Sequence, residues 1–384
     1  MSGSRARRLA LLGGALALPP VLEVRLRRPQ RQPSAAWRRV AVRKRGPCRL
    51  GISYRPRQAE ALGLDPGQVL RRLAQLPVEL VRLGAYWSRI EKVPGDFDLG
   101  ELDRSLDVVE SAGKKVILAV GALKTFGYPE LYVPPHWAPS GFPEGRLVTP
   151  ASHPRLNAAA REFLARVVSR YRERRSVLAW QVENEALDPL GMEHSWRLSR
   201  DFLASEMATV RSLDPTRPIL LNGFLPMSLT VRAAQLWRTR GQGDSLEAAL
   251  SLADMVGLDI YPRNAAAALG GHSLYLDGAQ LPWNRVPWSR LRRRVEATGR
   301  ELVVSEGQAE PWEATTVPPD LPGSVAFSCP PERVIANYNL GLGPSGQPPV
   351  VSAYFFWGLE YWLRRETSGD PSYFAAFTRI LEES

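Results

Sequence analysis

The chain is poor in the residues that most often carry metal and redox chemistry. Its 384 residues include only two cysteines and four histidines. Cys48 and Cys329 are isolated, so they form neither a disulfide framework nor a zinc site. His136, His153, His194 and His272 lack the His-x-x-x-His type of spacing, so no metal is expected. Lysine is scarce, at five of the 50 basic residues. None stands at a strand end where a Schiff base could form. No glycine-rich loop opens a helix after a strand, which removes the usual phosphate cradle. No solenoid-length repeat is present. No apolar run reaches the ~20 residues that span a bilayer.

Charge is plentiful but unevenly placed. The net charge is +11, and residues 1–50 hold 13 Arg or Lys against one acid, Glu23. The rest of the chain is close to neutral. A nucleic-acid-binding body is basic on its own fold, so nucleic acid is not an expected partner. Arg5-Ala6-Arg7-Arg8 precedes an apolar run from Leu9 to Leu22. That is the layout of an export signal, with Ala15-Leu16-Ala17 as a small-x-small cleavage site. Pro19-Pro20 and the basic stretch Arg25–Arg31 argue against clean cleavage. Residues 1–44 therefore read as a signal-like or membrane-associating basic arm, dispensable to the body. The expected location is extracytoplasmic, secreted or membrane-attached.

From residue 45 to 384 short apolar strands alternate with helical patterns. Such alternation builds a parallel sheet from βα units. Eight strands are expected: 49–54, 79–83, 115–120, 177–182, 219–221, 255–260, 301–305 and 351–357. Stretches such as VILAV and LVV are apolar throughout, as in strands covered on both faces. Helices fit between them; one opens at Pro66 after Asp65 and another stops at Gly113. The fold class is α/β, a (β/α)₈ barrel in one domain. The long connections follow strands three, six and seven, and loops at that end of such a barrel build the site. Tyr128, Tyr132, Trp137, Trp283 and Trp312 make these loops aromatic, and Trp137 is a candidate for substrate contact.

Two carboxylates stand out by position. Strand four ends in Glu183-Asn184-Glu185 and strand seven in Glu306. Opposed strand ends can bring two acids together across the mouth of an eight-strand ring. Glycosidic bond cleavage needs such a pair, one to protonate the leaving oxygen and one to attack or to activate water. The surrounding stretches VRLGAYWSRIEKVPGDFDLGELDRSLDVVESAGKKVIL, GLDIYP and FFWGLEYW resemble, in this order, clan A glycoside hydrolases. The nearest are cellulase-like members around families 5 and 42. The resemblance covers about residues 49–382. It implies an acid/base at Glu185, a nucleophile at Glu306, and Arg82 and Tyr261 beside the nucleophile. It also implies Asn184 on the sugar 2-hydroxyl and Trp357 under the sugar ring. No cofactor is needed.

The run after Glu306 departs from the clan's usual aromatic or glycine pair, which leaves Glu310 as a rival nucleophile. Glu183 rivals Glu185 in the same way. The strand-end position favours Glu306, and the Asn-Glu pairing favours Glu185. Trp180 lies within strand four and reads as a core residue. The function expected is retaining hydrolysis of β-linked sugars in oligo- or polysaccharides. The alternatives are transglycosylation at the same site, a non-catalytic carbohydrate-binding barrel, and an unrelated barrel lyase.

Overall fold

A strand apolar on both faces needs cover on both, and a closed ring inside a shell of helices supplies it. The computed structural model describes residues 22–27, 35–127, 131–189, 196–239, 242–269, 272–311 and 328–384. Its eight parallel strands are β1 (Arg49–Ser53), β2 (Leu80–Gly84), β3 (Lys115–Ala119) and β4 (Val177–Gln181), then β5 (Ile219–Phe224), β6 (Met255–Ile260), β7 (Glu301–Gln308) and β8 (Ala353–Trp357). Each pairs with its neighbours in chain order, and β7 and β8 complete a closed barrel with β6 and β1. This is the (β/α)₈ architecture expected.

Alternate residues divide into two cores. Leu80, Ile117, Leu220, Val303 and Phe355 belong to a small cluster that plugs the barrel interior. Their strand neighbours, such as Val81, Val116, Leu221, Val304 and Phe356, join the larger core beneath the helices. Each such side chain stabilises the fold by roughly 1.5–3 kcal/mol relative to exposure. β1 contributes Gly51 to the plug layer. A Cβ there would lie 2.6 Å from the Phe355 ring, so the glycine makes room for the phenylalanine.

The helices obey local rules. Asp65 caps Pro66–Gln75 by accepting from the Gln68 N–H, and Ser199 caps Arg200–Leu213 through Phe202. Trp180 is fully buried and donates to Asp214 at 3.0 Å, as befits a core residue. Cys48 and Cys329 are both free and buried. The connection after β6 is more regular than its sequence suggests. Arg263–Leu269 and His272–Asp277 form an antiparallel hairpin.

Part of the basic segment is built into the barrel. Val24–Arg27 adds a third strand to that hairpin. Glu23 is buried and accepts from Ser228 Oγ (2.6 Å), Leu229 N (2.8 Å), Thr230 Oγ1 (2.8 Å) and Asn284 Nδ2 (2.6 Å). Further along, Arg43 donates to Gly343 O and Gln347 O, and Arg379 to Trp37 O. The expected boundary at residue 44 is thus no boundary of packing. Deleting residues 1–44 would strip partners from three helices. The remainder of the arm, with its apolar run, lies outside the described residues.

Burial pushes the Glu23 carboxyl up, but its hydrogen bonds, led by those from Ser228 and Asn284, outweigh burial and hold it at about 2. Its folded-state pKa is depressed. The stability it contributes is therefore full above the ordinary carboxylate range and fades as pH falls toward 2. Glu23→Ala takes the acceptor from five donors, the Thr230 N–H included, and is expected to cost roughly 1–3 kcal/mol. Denaturant melts of the two proteins at neutral pH check this, and the difference should shrink in acid.

Candidate active site

β7 does not stop at Ser305; it continues to Gln308 and carries a bulge. Val304 pairs with Leu258, but Glu306 pairs with Asp259, so β7 holds one residue more than β6 across this step. A bulge re-aims a side chain, and here it marks Glu306. Arg82, from β2, donates through Nη1 to Glu306 Oε1 at 2.8 Å. Tyr261, just past β6, donates through its hydroxyl to Oε2 at 2.6 Å. Burial first, and then the Glu306 charge, pushes the Tyr261 phenol well up, so it stays a donor.

Arg82 also holds the end of β4. Its Nη2 donates to Asn184 Oδ1 at 2.7 Å and its Nε to Gln181 Oε1 at 2.7 Å. The chain turns sharply here. Glu183 and Glu185 have φ of 57° and 45°, the only non-glycine residues with positive φ among the described residues. Each such position costs of order 1–3 kcal/mol and persists only where neighbours over-determine it. The neighbours are present. Both Glu183 oxygens accept backbone N–H groups, from Leu123 and Lys124. Asn184 N donates to Lys124 O, and Lys124 Nζ reaches Glu185 O and Asp188 O. Gly121 lies so close that a Cβ would come within 2.1 Å of Glu183 N.

The structure thus brings together Arg82, Asn184, Glu185, Tyr261 and Glu306. Trp357 closes one side in a cluster with Tyr261, Phe126 and Ala119. The Arg55 guanidinium lies 4.4 Å from its ring centre, and Phe126 meets it edge-on. Trp137 is not brought to the carboxylates. Its indole N–H donates to Glu91 at 3.2 Å, and its ring contacts are Trp87 and His136. Tyr128 and Trp312 fall outside the described residues, as does His194. The rival acids are occupied elsewhere. Glu310 gives both oxygens to Arg55, which also binds Glu360, all three being buried. Glu183 spends its oxygens on the backbone of Leu123 and Lys124, just past β3. Of Glu183, Glu185, Glu306 and Glu310, only Glu185 is partly exposed.

Two residues of the site were not singled out from sequence. Asn222, in β5, accepts from the Glu185 N–H (3.2 Å) and Gln181 Nε2 (3.1 Å). It donates to Asn184 Oδ1 (2.8 Å) and Asp259 Oδ2 (2.6 Å). Asp259, in β6, also accepts from Ser305 Oγ at 2.7 Å and shares a hydrogen bond with Glu185. Burial and the Glu306 charge push the Asp259 carboxyl well up, while Arg82, Ser305 and Glu185 pull it down. Asp259 stood in GLDIYP, and its inward position follows from the two-residue period of a strand.

A carboxyl pushed well up by burial stays protonated and neutral near pH 7. Asp259→Asn therefore removes no charge from beside Glu185. The alkaline limb of the pH–kcat/KM profile is expected to stay within about half a unit of the parent's. A pH series on the variant and the parent measures it; a limb moved to lower pH by about a unit or more would mean that Asp259 is ionised.

Comparison with known proteins bears on the fold. Residues 53–216 match the family model described as β-galactosidase, a span that holds Arg82 and Asn184-Glu185 but not Glu306. The GH5_18 structure from Streptomyces cattleya in complex with GlcNAc is similar at 16% identity. The match covers 90% of this chain and 82% of that one, with a TM-score of 0.54. A single-residue variant of the same protein, in complex with Manb1-4GlcNAc, also matches at 16% identity and a TM-score of 0.54, over 88% and 82% of the two chains. A β-galactosidase from the psychrophilic Marinomonas ef1 matches at 16% identity over 80% of this chain, with a TM-score of 0.45. The present chain spans about half the length of that enzyme, 54%. No relative is found by sequence among curated proteins. The family-model match covers less than half of the chain, and the solved structures share its barrel fold.

Proposed function

We propose that the chain hydrolyses β-linked sugars with retention at the anomeric carbon, using Glu306 as nucleophile and Glu185 as acid/base. One observation carries the reading: Arg82 binds Glu306 and Asn184 at once, while Tyr261 takes the other Glu306 oxygen. This clamps the two strand ends that bear the acids into one site. With a donor on each oxygen, the Glu306 carboxyl is held in one orientation.

In the first step a Glu306 oxygen bonds to the anomeric carbon. The bond to the leaving oxygen breaks, and Glu185 supplies the proton to that oxygen. In the second, Glu185 takes a proton from water, the water oxygen bonds to the anomeric carbon, and the ester to Glu306 breaks. The Glu306 charge favours a protonated Glu185 at the start. Ester formation removes that charge and leaves Glu185 ready to act as a base. Asn184 would meet the 2-hydroxyl, and Trp357 would lie under the sugar ring.

Retaining chemistry places the carboxyl groups about 5–5.5 Å apart, against 6.5–9.5 Å for inversion. Glu306→Ala is expected to abolish turnover of an aryl β-glycoside, and added azide to restore it with an inverted glycosyl azide as product. Glu185→Ala is expected to slow natural glycosides about 10²–10⁴-fold and to spare substrates with activated leaving groups. Wild-type turnover of a natural substrate by either variant would refute the assignment.

A further inference from the structure

A helix on the surface of a soluble protein turns its apolar stripe inward. The helix Leu229–Thr239, which follows β5, does the reverse. Gln235 donates to Asp188 at 3.0 Å, Arg238 lies near Glu144 and Asp188, and Thr239 is buried, so these positions face the barrel. Ala233, Leu236 and Trp237 share the opposite face, three to four residues apart. All three are exposed, Leu236 at 71% and Trp237 at 80%.

Five large apolar side chains are exposed among the described residues: Leu22, Val93, Leu236, Trp237 and Trp283. Four of them stand on segments that the buried Glu23 carboxylate ties together. Leu22 precedes it, its partners Leu229 and Thr230 begin the helix, and Asn284 follows Trp283. Arg25, Arg232 and Arg285 are exposed on the same three segments. None of those segments carries an exposed acid. The run Leu9–Leu22, preceded by Arg5, Arg7 and Arg8, leads into this place. From the helix start to Trp237 is only about 12 Å.

We propose that this face, made of Leu22, Trp283 and the Leu236–Trp237 stripe with its flanking arginines, rests on an anionic lipid bilayer. Tryptophan favours the membrane interface, arginine favours acidic headgroups, and apolar side chains favour the acyl boundary. A lone short apolar anchor holds a membrane only marginally, and stable attachment takes a second signal. The patch supplies that second signal beside the first. A soluble partner protein would not account for the arginines and the apolar run converging on one place. The helix follows the carboxyl end of β5, so the barrel mouth would lie beside the lipid surface.

The full-length chain is to be sedimented with vesicles of phosphatidylcholine alone and of phosphatidylcholine mixed with phosphatidylglycerol. Binding is expected to the mixed vesicles and to weaken in high salt. The variant L236S/W237S, still carrying residues 1–44, is expected to partition at least about tenfold more weakly. Because both side chains are exposed, its melting temperature is expected to match the parent's, and this controls for folding. W283S should weaken binding in the same direction. Equal partitioning of the double variant, indifference to phosphatidylglycerol, or no binding to either vesicle would overturn the proposal. So would a parent dimer that the double variant converts to monomers, since the stripe would then cover a second copy. Loss of oligosaccharide binding with vesicle binding intact would also overturn it and make Trp237 a sugar platform.

Discussion

The site depends on one buried guanidinium. Arg82 is almost wholly removed from water, and an unpaired charge there would cost several kcal/mol. It has to be satisfied by acceptors from more than one strand. Gln181 and Asn184 come from β4 and its end, and Glu306 comes from β7, across the ring. Phe126 covers the guanidinium face at 4.0 Å. The pairing works in both directions. Arg82 donates to Glu306, and Glu306 makes the buried Arg82 tolerable. Removing either partner leaves the other uncompensated, so Glu306 and its clamp stand or fall together.

The second constraint is the left-handed turn at Glu183 and Glu185. The strain there is offset by a polar network behind the site. Glu206 packs beside Glu183, and burial together with the Glu183 charge pushes its carboxyl well above the usual range. Glu206 is thus the member of the pair that keeps a proton. Glu183 can then act as an acceptor for the Leu123 and Lys124 backbone without a second anion at its side. A raised folded-state pKa makes this pair stabilising at low pH, and that contribution is lost as pH rises past the ordinary carboxylate range. The end of β4 that bears Glu185 is therefore held by groups behind the site.

Much of the barrel was legible because its signals are local. A buried parallel strand shows as a short apolar run, and its helix as a 3.6-residue period with caps such as Asp65 and Ser199. The pair Asn184-Glu185 and the lone Glu306 were readable from their position at strand ends. The bulge in β7 was not, because it exists only in the register between β7 and its neighbours. Asn222 and Asp259 were hidden for a related reason. An inward polar residue on a strand looks like any alternating position until the ring closes and shows what it faces. Trp137 was expected at the substrate and packs on Trp87, a contact that loop aromatics do not reveal in sequence. The basic segment misled by composition. Its many arginines suggested an arm held off the surface, yet Arg43 is satisfied by carbonyls of the barrel, and buried Glu23 is its only acid.

The same reasoning explains why the two barrel ends differ. Toward the strand starts, the interior is filled by the apolar Leu80–Phe355 plug. Toward the strand ends, Gln181, Asn222, Asp259, Ser305 and Glu306 replace apolar residues at inward positions. Each polar group added there needs a partner, and the nearest partners are other inward polar groups. The result is a connected network in which Asn222 touches Asn184, Glu185 and Asp259, and Asp259 touches Ser305. A network of this kind is costly unless complete. It fixes the geometry of Glu185 relative to Glu306 more firmly than either strand end alone. The plug below supplies cohesion that the polar layer does not, and the polar layer holds the Glu185 and Glu306 strand ends in register.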